Sequence, residues 1–165
     1  MPKTIDDLLA ESAIRDVQLR YCRSADRRDF ELYRTCFHED AVLDFSFFSG
    51  SVDEFMDMAR ESLARFTVTT HATGNQLIEV DGDSAWCEFY TTATHRIAAD
   101  ENGPERDYVA AVRYIDRMER RGDEWRIARR RCVLDWARSD PVPEYCDGPK
   151  TGDARRDRND PSYAR

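Results

Sequence analysis

The chain has 165 residues, 41% hydrophobic and 35% charged, a length and balance that fit one globular domain with a single sizeable core. Its 33 acidic residues outweigh 25 basic ones, and the formal charge of −8 argues against a polyanionic partner such as nucleic acid. No run of about 18 apolar residues occurs, so no membrane partner is expected; Met1–Asp7 has no apolar signal core, and a cytoplasmic location is expected.

Thr4-Ile5-Asp6-Asp7 pairs a hydroxyl with an acid three residues on, the mark of a helix start. Leu9, Ala13, Val17, Tyr21 and Ala25 then recur every four residues, with Ile5, Leu8, Ile14 and Cys22 widening the stripe. This predicts a helix from about Ile5 to Arg28 with one buried face. A shorter helix follows over Asp29–Phe37, with Asp29 as its cap. His38-Glu39-Asp40 reads as a solvated break, and Ala41–Phe45 as a short strand. Ser49-Gly50 is a turn, and Ser51-x-x-Glu54 opens a third helix with Phe55, Ala59, Leu63 and Phe66 inward.

After Phe66 the period becomes extended. Thr69–Val80 reads as a strand with a bulge at Gly74, and Asp81-Gly82-Asp83 as a hairpin turn. Ala85–Ala98, Tyr108–Met118 and Glu124–Trp136 are three further strands, the last two joined at Arg121-Gly122-Asp123. From Ser139 prolines, glycines and charges dominate. Residues 1–138 therefore read as one domain and 139–165 as an extended tail, expected to pack on a neighbouring subunit or fray. Helices first and antiparallel strands later make the fold class α+β, with a curved sheet folded over the helices and a cavity between them.

The cysteines, at 22, 36, 87, 132 and 146, are odd in number and form no Cys-x-x-Cys pair. They read as reduced apolar fillers, with neither disulfides nor a metal site. Gly-rich phosphate loops and the Gly-x-Ser-x-Gly elbow are absent. Three histidines remain. His38 falls in the polar break, and His95 reads as a residue of the sheet surface. His71 stands at a strand start among small residues, in Thr70-His71-Ala72-Thr73-Gly74-Asn75, which leaves room for a ligand, although a packed core histidine fits the local pattern too. Asp26 follows the buried stripe, and Asp29 takes the capping role that would otherwise explain it. Asn75, four residues after His71, shares its face if no bulge intervenes, and is a candidate ligand contact. Within Arg129-Arg130-Arg131, Arg130 points opposite to its neighbours, toward the pocket or toward solvent.

Tyr21–Asp29, the run Phe37-His38-Glu39-Asp40-Ala41, the segment Thr70–Val80, and Trp125–Arg130 with Asp135-Trp136 together resemble the SnoaL-like proteins of the nuclear transport factor 2-like superfold. The resemblance covers about residues 8–138. It implies a cone-shaped fold with N-terminal helices in the concavity of a curved, mainly antiparallel sheet. In its dehydratase and dehydrochlorinase branch an Asp of the first helix pairs with a His at a strand start, positions held here by Asp26 and His71. The dehydratase pattern has a tyrosine five residues before that Asp, matched by Tyr21; the dehydrochlorinase pattern has a pocket arginine at about Arg130, whereas the dehydratase pattern puts its arginine nearer Leu134, where this sequence departs. The implied function is a cofactor-independent lyase or isomerase, dehydratase-like, acting on a hydrophobic, cyclic small molecule. A neutral imidazole oriented by a carboxylate suits that chemistry, since it takes a proton from an activated carbon near neutral pH. Two other readings stand beside it: a non-catalytic module that binds a small molecule, and a structural protein like a dioxygenase β-subunit. A homo-oligomer, dimer or trimer, is expected through the open sheet face.

Overall fold

A computed structural model describes residues 3–143 and 154–164 of the chain; Cys146 lies outside the described residues. Helix α1 (Ile5–Arg27) starts at a capping box in which the Thr4 hydroxyl accepts from the Asp7 amide and the Asp7 carboxylate returns the bond to Thr4. Such a cap is worth about 1 kcal/mol. Helix α2 (Phe30–Thr35) is capped by Asp29, which accepts from the Leu32 amide at 3.1 Å. Strands β1 (Phe37–Phe45) and β2 (Phe48–Ser51) form a hairpin, and Ser51 and Glu54 build a second capping box at the start of α3 (Val52–Ala64). Four long strands complete the chain: β3 (Phe66–Asp81), β4 (Ser84–Ile97), β5 (Arg106–Arg121) and β6 (Glu124–Pro141).

The strands form one six-stranded sheet in the order β2-β1-β6-β5-β4-β3. All pairs are antiparallel except β1 with β6, which run parallel. The sheet is curved and unclosed, and the fold is α+β with the helices against its concave face. Gly82 and Gly122 take positive φ, 60° and 65°, at the tips of the β3–β4 and β5–β6 hairpins, where a side chain would be strained. The bulge expected near Gly74 is present, between Thr73 and Gln76.

Three local expectations are corrected. The second helix stops at Thr35, and β1 begins at Phe37, so His38 lies within a strand. Its ring is buried, with Nε2 2.9 Å from the Glu119 carbonyl oxygen. Phe48–Ser51 is a paired strand rather than only a turn. On α1 the buried face is Ala10, Ile14, Val17, Tyr21, Cys22 and Ala25, while Ile5, Leu8 and Leu9 are exposed.

The described part of the tail, residues 154–164, packs on its own chain. Asp29 is the hub: its carboxylate accepts from Arg158 Nη2 at 3.0 Å and from the Tyr163 hydroxyl at 2.9 Å. Arg23 donates to the Ser162 carbonyl and stacks on the Tyr163 ring. Arg156 donates to the carbonyls of Leu63 and Phe66 and to the Thr69 hydroxyl. Helix α3 has no basic residue in its last turn, and Arg156 supplies the missing cation there.

Candidate functional site

In α1 the register that buries Cys22 and Ala25 also turns Asp26 toward the sheet. On β3 the concave-facing residues are Thr69, His71 and Thr73, alternating with exposed Thr70 and Ala72. The two elements bring Asp26 and His71 together at two points. His71 Nδ1 lies 2.7 Å from Asp26 Oδ1, and the His71 amide donates to Asp26 Oδ2 at 3.1 Å. The side chains are 8% and 13% exposed. A carboxylate only accepts, so Nδ1 carries the proton, and in the neutral ring Nε2 is left as the basic nitrogen.

His95 stands next to them. Its strand places it in register with Phe89, Thr91 and Ala93, all buried, so it faces inward rather than lying on the sheet surface. The ring sits edge-on to His71 and packs on Phe66 at 4.6 Å. Burial, and then the neighbouring His71, push its pKa down to about 4. Its Nδ1 is buried with no hydrogen-bond partner among the described residues. The alternation Ala85, Cys87, Phe89, Thr91, Ala93 was the available sequence signal for this residue, since an apolar row of that parity has to face the core.

Cross-strand pairing sets the surroundings. His71 is aligned with Ala93, Ala93 with Ala110, and Ala110 with Ala137. A row of three alanines thus runs across the concave face from the imidazole. The β6 end of this face is uncovered: Leu134, aligned with the inward Val112, is 45% exposed, and Ala137 is exposed as well.

Tyr21 and Arg130 meet each other deeper in the cone, apart from the dyad. Arg130 is fully buried, with Nε 2.8 Å and Nη2 2.6 Å from the two Asp116 oxygens, and Nη2 also donates to Gln18. Its guanidinium lies between the Tyr21 and Tyr114 rings, 4.1 and 4.2 Å from their centroids. Burial raises the Tyr21 phenol above its ordinary range, against the opposing pull of Arg130. Arg130 does point opposite to exposed Arg129 and Arg131, but it is held in an ion pair; only Nη1 has no partner among the described residues. Asn75 also stands apart. It is exposed at the bulge and borders a hollow of about 360 Å³ on the outer face, over Ala72, Thr92 and Ala111. A second hollow, of about 900 Å³, lies between the end of α1, α2, α3 and the tail. Neither is lined by Asp26 or His71. Among the described residues no cluster of His, Cys, Asp and Glu is arranged to hold a metal ion, and no helix is long and apolar enough to cross a membrane.

A cone of sheet packed on its helices, with a carboxylate–imidazole pair on the inner wall, defines an α+β protein of the nuclear transport factor 2-like class. The chain belongs to the SnoaL-like family: the SnoaL-like domain model matches residues 6–131. No curated protein matches the sequence. Among solved structures, a hexachlorocyclohexane dehydrochlorinase, LinA type 2, is similar at 18% identity and TM-score 0.74, over 85% of this chain and 97% of that one. A Novosphingobium aromaticivorans protein provisionally named a scytalone dehydratase has 21% identity and TM-score 0.71, over 83% and 91%. A Mycobacterium tuberculosis protein of unknown function, Rv3472 in its D26N form, has 28% identity and TM-score 0.62, over 81% and 76%.

Proposed function

We propose that the protein is a lyase or isomerase of dehydratase type whose base is His71, oriented by Asp26. The two-point contact of Asp26 with the ring and backbone of His71 carries this reading. It fixes ring and tautomer together, leaving Nε2 as the proton acceptor. Nε2 takes a proton from carbon next to a carbonyl or a leaving group, and Asp26 stabilises the imidazolium. The same proton then goes to a departing hydroxide, so that water is lost. Acid/base chemistry alone suffices for this sequence of steps.

The substrate in this reading is a hydrophobic, ring-sized molecule lying over the alanine row and entering at the uncovered β6 end. Tyr21 lies five residues before Asp26, about 7.5 Å along the helix axis, and packs with Arg130 in the buried layer behind the site. His95, held neutral, is a second imidazole facing the same space. The relatives named for loss of chloride and of water favour an elimination over other proton transfers. Outside the cone, Leu77, Trp86, Tyr90 and Trp136 are exposed on the outer sheet face and make it the association surface of a homo-oligomer. Sedimentation at a single monomer mass would end that part of the proposal.

The deciding experiment screens hydroxylated and chlorinated alicyclic compounds for release of water or chloride, then repeats the active pair with His71→Gln. Turnover should fall by ~10²–10⁴-fold with the melting temperature held. Unchanged turnover would remove His71 from the mechanism. Tight binding of a compound recovered unaltered would instead favour a carrier.

A further inference from the structure

The hollow of about 900 Å³ beside the end of α1 is lined by five arginines, at 27, 28, 34, 60 and 158, against three acids, at 29, 31 and 157. That bias is local, because the whole chain carries a charge of −8. Three of the five arginines are neutralised: Arg27 by Asp160, Arg34 by Asp53, and Arg158 by Asp29 and Glu31. Arg28 and Arg60 have no carboxylate partner among the described residues, and both are exposed. The Arg60 guanidinium lies over the Phe30 ring, 4.4 Å from its centroid.

Arg28 is unusual in its backbone. With φ 53° it is the one non-glycine residue of positive φ among the described residues. It ends α1 in the left-handed conformation that glycine or asparagine ordinarily takes there. An arginine held against that preference is a reason to ask what its side chain does. The position is two residues past Asp26 in the chain, at the C-terminal end of α1. Arg156 lies within electrostatic reach of both Asp26 and Arg28.

We propose that this groove binds the phosphate end of an organic molecule, with Arg28 and Arg60 as the phosphate ligands and Phe30 and Met56 as the apolar wall. Two planar guanidinium groups without carboxylate partners match a multiply charged oxyanion, which accepts paired hydrogen bonds from each. The binding is independent of the function proposed above.

Isothermal titration of the full chain with phenyl phosphate, and separately with inorganic phosphate, tests the site. Saturable binding of phenyl phosphate is expected, roughly fivefold or more tighter than inorganic phosphate, because the ring adds apolar contact. Arg28→Gly relieves the backbone and removes the ligand, so it should melt no lower than wild type yet bind about tenfold or more weakly. Arg60→Gln supplies an independent second variant with the same expected weakening. Absence of saturable binding, equal affinity for inorganic phosphate, or unchanged affinity in both variants would each overturn the proposal. His71→Gln must bind phenyl phosphate as wild type does, which separates failure of the groove from failure of the dyad.

Discussion

The rings of His71 and His95 stand edge-on, 5.4 Å between centroids and 89° between planes. Only one of them has a carboxylate, so the pair is asymmetric by construction. Asp26 is hydrogen-bonded to His71, and burial disfavours a charge on His95. The asymmetry predicts a pH effect. A histidine of about 6.5 when unfolded and about 4 when folded binds its proton more weakly in the native state. Its contribution to stability is therefore present above pH 6.5 and lost as pH falls through 4, by at most about 3 kcal/mol. His95→Phe keeps the packing on Phe66 and removes the titration. Urea unfolding from pH 7 to pH 4 should show a smaller loss in the variant than in wild type; parallel curves would mean His95 is not the titrating group.

Asp26→Asn keeps the size of the side chain but no longer fixes the tautomer or supports the imidazolium. Turnover of any substrate found should drop by ~10²–10⁴-fold, with fold stability close to wild type. A variant that turns over normally would show that the pairing is structural.

Arg130→Met leaves Asp116 buried without its partner and should cost about 3–5 kcal/mol in urea unfolding. Adding Asp116→Leu removes the stranded charge and should recover most of that loss. If the double variant were as unstable as the single one, the ion pair would not be the cause.

Ala137 ends the alanine row at its exposed edge, so Ala137→Phe blocks the entrance without disturbing the core. The expected result is a melting temperature near wild type, since exposed substitutions stay within about 0.5 kcal/mol, with kcat/KM lowered by roughly tenfold or more. Unimpaired kcat/KM would move the entrance elsewhere.

Much of this architecture was legible in the residues, because short-range chemistry specifies it. Thr4 with Asp7, Ser51 with Glu54, and Asp29 announce three helix starts, and the bulge at Gly74 and the two Gly-tipped turns set the hairpins. Asp26 and His71 were found as a pair because the family pattern joins positions that local sequence cannot. What stayed hidden depends on long-range placement. Leu8 and Leu9 match a buried stripe, but at the start of α1 only Ala10 and Glu11 are covered, a placement that periodicity alone does not set. His95 required the parity of its whole strand, anchored on Phe89, rather than its polar neighbours. Arg130 was assigned its direction from alternation, whereas its partner Asp116 lies on another strand. The tail contacts at Asp29 join arginines and acids that no periodicity relates.

Those contacts at Asp29 bridge 129 and 134 positions of sequence. Closing so long a loop is entropically costly, and the contacts that reach as far, such as Arg23 with Ser162 and Arg27 with Asp160, belong to the same tail. During synthesis the helices and most of the sheet are already outside the ribosome before Arg158 and Tyr163 emerge. The wall that the tail adds to the arginine groove is consequently the last part to be assembled, and a nascent or prematurely truncated chain has the cone without its finished rim.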